Sequence, residues 1–237
     1  MAKKVVKRKK RTAFKRYYMR RFENFSINEA VDYLNNIVEL KETAKWIMPL
    51  ERVNLRYSGA NIEENYQIFT PEFIVKDMVD TIGVDIITDN SKNVLEPTSG
   101  DGAFTTYILK LRLEKVLVNK EDFIVNMLRA LGTIYSVEMD NTLISKQRCN
   151  IYTLIRNITQ NNNIEIDYKI DELIKLMIST NFIWGMTNIE NETFSLFSSE
   201  VVYKMPVKKG YYEAIEFPVW TITDDLKISL RYEEVEQ

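Results

Sequence analysis

Glycine is scarce in this chain, seven in 237 residues, yet Gly100 and Gly102 fall within three residues at the end of a short apolar run, Asn93-Val94-Leu95-Glu96-Pro97. In an open α/β sheet, ligands collect beyond the carboxyl ends of the strands, and a glycine there lets the backbone come close to them. Glu138 closes a second strand-like run, Thr133 to Val137. An acid in that position can accept hydrogen bonds from a ribose diol. The separation from Gly102 to Glu138 exceeds the ~20 residues of the dinucleotide fingerprint because a helical stretch intervenes. A tight turn between strand and helix would use the same two glycines, so the pattern by itself leaves both readings open.

Other chemistries are excluded by composition. The chain has no histidine, which removes Ser-His-Asp and Cys-His nucleophiles, imidazole acid/base work and His-ligated metals. Its single cysteine, Cys149, allows neither an intrachain disulfide nor a Cys-based zinc cluster. Cys149 reads as a structural thiol within a helix. The pairs Asp224-Asp225 and Glu233-Glu234 are accounted for by a turn and a charged C-terminus, so no metal site is expected. The apolar runs are short and broken by charge, and no membrane partner is expected. A soluble, cytoplasmic protein is the expectation.

The net charge of −2 conceals an asymmetry. Residues 1–21 hold eleven Lys and Arg and no acid, which leaves 21 basic against 34 acidic groups in the rest. Within that arm Lys7, Arg8, Lys9, Lys10, Arg11, Lys15 and Arg16 alternate with Phe14, Tyr17 and Tyr18. Cations meet phosphates and aromatic faces stack on bases, so nucleic acid is the natural partner. A solvated tail, or one docked on the acidic body, has the same composition.

The elements that must position these groups can be read from periodicity and punctuation. Ser26 and Glu29 form a capping box before Val31, Leu34 and Val38, giving a helix to about Leu40. The stretch from Trp46 to Asn65 is irregular. Thr70 caps a helix begun by Pro71, with Ile74, Met78 and Ile82 in a stripe beside Val75 and Val79, and Gly83 stops it. Helices follow from Ala103, from Phe123 to Leu131 with Gly132 as its stop, through Leu143, Ile144, Gln147, Ile151 and Leu154 behind an Asp140 cap, and over Asp171–Ile178. A third strand covers Asn181–Gly185. Ala214–Ile222 and Leu226–Tyr232 form an antiparallel hairpin around Thr223-Asp224-Asp225. Trp184 and Trp220 read as core. Strands alternating with helices indicate an α/β fold with a mainly parallel sheet. The organisation is a basic arm (1–25), a helix with its connection (26–65) and an α/β domain (66–237).

Three segments in this order resemble the adenine-N6 DNA methyltransferases whose cofactor motifs precede the catalytic one. Ile68-Phe69-Thr70-Pro71-Glu72 looks like the opening motif of that family. Glu96-Pro97-Thr98-Ser99-Gly100-Asp101-Gly102-Ala103-Phe104 looks like its E-P-x-x-G-x-G-x-F loop, and Ser136-Val137-Glu138-Met139-Asp140 resembles the strand end that holds the ribose. The resemblance covers about residues 66–190. It implies a Rossmann-like S-adenosylmethionine-dependent methyltransferase fold. It also implies S-adenosylmethionine bound by Phe69, Thr70 and Pro71 around the methionine end, by Glu96, Gly100 and Gly102 beneath it, by Glu138 at the ribose and by Met139 against the adenine.

Departures from the family are as informative. After the third strand, Met186 or Thr187 stands where an Asp pairs with the adenine. In register with the catalytic D-V-V-x-G-N-P-P-Y motif the chain reads Glu200-Val201-Val202-Tyr203-Lys204-Met205-Pro206-Val207-Lys208. Met205 and Pro206 then occupy the catalytic position without an amide or carboxylate to hold an amine, and Lys208 replaces the stacking aromatic. An unrelated edge strand would read the same way. The 29 residues after Lys208 leave no room for the family's target-recognition part. The expectation is a methyltransferase-like protein whose amine acceptor, if it is active, comes from another protein chain or an atypical group. The alternative is a catalytically dead protein of this fold serving as a nucleic-acid-binding or assembly subunit.

Overall fold

The computed structural model describes residues 21–53, 70–188, 193–196 and 216–234. In chain order the elements are β1 (Phe22–Phe25), α1 (Ile27–Asn35), α2 (Val38–Lys45), α3 (Glu72–Ile82), α4 (Val84–Ile87), β2 (Val94–Glu96), α5 (Ala103–Val116), α6 (Phe123–Gly132), β3 (Ile134–Glu138), α7 (Asn141–Asn161), α8 (Tyr168–Asn181), β4 (Phe182–Asn188), β5 (Thr193–Leu196), β6 (Glu216–Ile222) and β7 (Ile228–Glu234). They form two sheets, one ordered β2-β3-β4-β5 and one ordered β1-β7-β6. In the first, β2, β3 and β4 are parallel and β5 pairs antiparallel to β4. The fold is therefore α/β with a three-stranded parallel core, as the alternation of strand and helix patterns requires.

β3 is the strand on which the rest is hung. All five of its side chains are buried, which is the signature of a parallel strand covered on both faces. Ile134, Ser136 and Glu138 alternate with Tyr135 and Val137, so the two sets face opposite ways. Ser136 donates to Gln147 of α7 on one side. On the other, the Tyr135 hydroxyl donates to the Pro218 carbonyl of β6 at 2.7 Å. The second sheet is thus fastened to the far face of the first. Arg129 and Trp220 add to that seam through the Ile222 carbonyl and Asn181 Oδ1. Gly132 belongs to this junction as well, because a Cβ on it would stand 3.0 Å from Cβ of Trp220. Read from sequence as a helix stop, it is also a packing glycine.

Several local readings are corrected. The arm, read to residue 25, gives way to a strand at Phe22, which pairs antiparallel with Leu230 of β7 while Phe25 pairs with Ile228. Asn24 interrupts this short ladder with φ +55°, a left-handed conformation that Asn tolerates. The helix read to Leu40 is two helices. Asn36 ends α1 by turning its side chain back on the Asp32 carbonyl, the local competition that makes Asn a poor helix interior. Thr70 does not cap α3: Pro71 occupies the cap position and the helix begins one residue later, so Thr70 is too far back to reach the first amides. The apolar stripe on α3 divides, with Val75 and Val79 fully buried and Ile74, Met78 and Ile82 exposed. Ser26 with Glu29 and Asp140 form their caps as read, and β6 and β7 form the hairpin. Among the described residues no helix is long and apolar enough to cross a membrane.

The entry into β2 is fixed by one fully buried cation. Arg112 of α5 donates to the carbonyls of Ile87 and Lys92 and to the Thr133 hydroxyl. Burial pushes its pKa down to about 10, and it gathers the end of α4, the approach to β2 and the end of α6 at one point. Arg112→Ala strands those acceptors and opens a void. We expect a loss of about 3 kcal/mol, read as a lower urea midpoint at unchanged slope; a loss below about 1 kcal/mol would show that the clamp is dispensable.

Candidate functional site

β2 ends at Glu96, and the chain turns through Pro97 and Thr98 into Ser99, Gly100, Asp101 and Gly102 before α5 begins at Ala103. Gly100 has φ +56° and Gly102 φ +83°, so both sit where a side chain is disfavoured. Ser99 continues the pairing of the two strands by donating its amide to the Val137 carbonyl at 3.0 Å. The loop therefore lies directly over the carboxyl end of β3.

Glu138 closes that contact. One carboxylate oxygen accepts the Gly100 amide at 2.6 Å and the other accepts the Asp140 amide at 2.8 Å. It is 7% exposed. The glycine turn and the acid that sequence singled out are thus bonded to one another. Each oxygen of this carboxylate uses one of its two lone-pair directions, which leaves acceptor capacity on both. Met139 follows at the rim with a 60% exposed side chain, its carbonyl held by the Trp184 indole N–H at 2.9 Å.

Glu96 sits beneath the loop. Its carboxylate accepts the Thr105 amide at 3.3 Å, in the first turn of α5, where a helix favours negative charge. Desolvation by its surroundings nevertheless pushes its pKa up to about 8, and the neighbouring Asp101 and Glu138 carboxylates add to the rise. Lys146 pairs with Asp101 at 3.2 Å, while among the described residues no cation pairs with Glu96. Near pH 7 Glu96 is therefore largely protonated, and the carboxylates of Asp101 and Glu138 against the one ammonium of Lys146 leave the local field negative, which suits a cationic ligand over an anionic one.

Sequence reasoning missed what holds the loop in place. Gln147 of α7 is fully buried. Its carbonyl oxygen accepts from Ser99 at 2.8 Å and from Ser136 at 3.2 Å, and its amide donates to the Thr105 hydroxyl at 2.7 Å. Asn150, one turn on, donates to the Asp101 carbonyl. A Cβ on Gly102 would lie 2.3 Å from Gln147 Cγ, so this glycine is required by the close approach of α7. The available signal was a polar residue inside an otherwise apolar stripe, Ile144, Gln147, Ile151.

The other residues named from sequence fall in different places. Thr70 and Pro71 lead into α3, which packs on α5. Phe69, Met205, Pro206 and the arm residues Lys7 to Arg16 lie outside the described residues. Cys149 is partly buried and its thiol faces the Trp46 carbonyl at 3.6 Å. Among the described residues no cluster of three potential metal ligands is present.

The raised pKa of Glu96 has a definite sign. A carboxyl that holds its proton more tightly folded than unfolded leaves stability untouched below about 4.5 and lowers it progressively as pH rises towards about 8. Glu96→Gln keeps an acceptor for Thr105 and removes the titration. We expect the variant to be more stable than the parent at pH 8, by on the order of 2 kcal/mol, with little difference at pH 4; parallel melting curves across that range would refute the assignment.

Comparison with known proteins returns no match: no family model, no curated protein and no solved structure matches this chain.

Proposed function

We propose that the chain is an S-adenosylmethionine-binding protein of the adenine-N6 DNA methyltransferase class, built on a Rossmann-like fold. The observation that carries this reading is the direct bond between the Gly100 amide and the Glu138 carboxylate at the carboxyl edge of a parallel sheet. A glycine turn and a strand-end acid in contact form the wall of a nucleoside site. The local electrostatics fit the ligand. S-adenosylmethionine carries a sulfonium and an ammonium against one carboxylate, and the wall offers Glu96, an acid with no cation partner among the described residues.

When bound, the cofactor supplies an electrophilic methyl group on sulfur. In this reading Glu96 faces its ammonium, the remaining lone pairs of Glu138 accept the ribose hydroxyls, and Met139 lies against the adenine. Gly100 keeps the floor free of a side chain, while Gly102 admits Gln147, which fixes the loop through Ser99 and Thr105. The basic arm, through Lys7, Arg8, Lys9, Lys10, Arg11, Lys15 and Arg16, holds the nucleic acid by its phosphates.

A second reading is supported by Met205 and Lys208, which replace the groups that would hold and stack the target base. In it the chain is an inactive subunit that keeps the nucleoside site and binds nucleic acid. Labelled methyl incorporation into unmethylated DNA separates the two, since transfer by the isolated chain excludes the second.

Calorimetric titration with S-adenosylmethionine tests the cofactor. Because a cation beside Glu96 favours its ionised form, binding near pH 7 should release up to about one proton, seen as a different heat in phosphate and in Tris. Glu96→Gln should abolish the release and weaken binding about tenfold, close to 1.4 kcal/mol. A folded protein that gives no heat at high micromolar cofactor refutes the proposal.

A further inference from the structure

Helix α7 works on two sides. Lys146, Gln147 and Asn150 face the glycine loop, while Asn141, Ser145 and Arg148, spaced one turn apart, lie on the opposite stripe and look towards α2. Between that stripe and α2 is a cleft of about 470 Å³ lined by Glu42, Thr43, Trp46, Asn141, Ser145 and Arg148. A smaller hollow of about 130 Å³ adjoins it, reaches Trp184 and shares Thr43, Asn141 and Arg148. The volume lies within the ~300–1,000 Å³ usual for small-molecule sites. Its walls are tied together, since Cys149 faces the Trp46 carbonyl and the Leu50 amide donates to Thr153 of α7.

Arg148 is the unusual group in it. Its Nε and one Nη2 hydrogen both go to the Phe182 carbonyl, at 2.9 and 2.6 Å. That leaves the end-on edge of the guanidinium, Nη1 with the second Nη2 hydrogen, without a partner among the described residues. No carboxylate there pairs with it, and burial pushes its pKa down to about 10. The side chains of Thr43 and Asn141 likewise make no hydrogen bond among the described residues. The indole of Trp46, 73% exposed, stands in the same wall. A partly buried guanidinium with a free fork suits a planar anion. Glu42, paired with Lys45, stands in the cleft wall and Glu39 in the adjoining hollow, and they oppose a doubly charged phosphate more than a singly charged carboxylate.

We propose that this cleft binds a small aromatic monocarboxylate, its carboxylate on the end-on edge of Arg148 and its ring against Trp46. The site is separate from the glycine loop and does not rest on the cofactor reading.

The test uses the full chain and three probes: benzoate, its neutral isostere benzamide, and inorganic phosphate. Indole fluorescence and ligand-observed NMR should report benzoate binding at about millimolar concentration, at least tenfold tighter than benzamide and than phosphate. Thr43→Trp fills the cleft while leaving the Arg148 bonds to Phe182 in place, and should abolish binding in a protein of unchanged melting temperature. Arg148→Lys should weaken benzoate and leave benzamide unaffected. Equal affinity for benzoate and benzamide, tighter binding of phosphate, survival of binding in Thr43→Trp, or no benzoate signal up to about 10 mM would each overturn the proposal.

Discussion

A single buried carboxylate organises the carboxyl edge of the parallel sheet. Glu138 takes one amide from the turn after β2 and one from the residue that caps α7. A charged acceptor shared between two backbone donors is among the stronger hydrogen-bonding arrangements in a protein. Here it joins three segments that sequence separates: the loop at Gly100, the end of β3 and the start of a 21-residue helix. Remove the acid and each amide must find another acceptor in a region where water is largely excluded. The position of the loop, and hence any nucleoside site it forms, depends on this contact.

Gln147 supports it from behind. An amide side chain has one acceptor and two donors, and this one accepts from two serines and donates to a threonine. The network is buried and satisfied, which is the condition under which polar groups in a core add rigidity instead of instability. Glu96 is the exception beside it. Its amide partner and the helix terminus favour the charged form, but desolvation and two neighbouring carboxylates prevail and raise its pKa. Near pH 7 Glu96 is thus largely protonated beside a satisfied network, and a positive charge brought next to it would favour its ionised form.

The opposite face of α7 has the inverse problem, a guanidinium without a counterion among the described residues. One helix thus separates a cluster of carboxyl groups from a cleft that holds a guanidinium. The side chains that do this, Lys146, Gln147 and Asn150 on one stripe and Asn141, Ser145 and Arg148 on the other, are interleaved along fewer than three turns. Linear order alone assigns neither set to its wall.

Signals carried within one turn of chain were readable in the amino-acid order. The Ser26 capping box, the Asp140 cap, the glycine turn after β2 and the acid ending β3 each rest on neighbours a few residues away, and local stereochemistry decides them. Pairings between distant segments belonged to the tertiary structure. β1 lies against β7, about two hundred residues on, so a four-residue strand was hidden at the end of a basic arm. The exposure of Ile74, Met78 and Ile82 follows from which face of α3 meets α5, and the duty of Gln147 from what α7 lies upon. Periodicity states that a helix has an apolar side or an odd polar residue, whereas only the packed neighbour determines which side is covered and which polar group is satisfied.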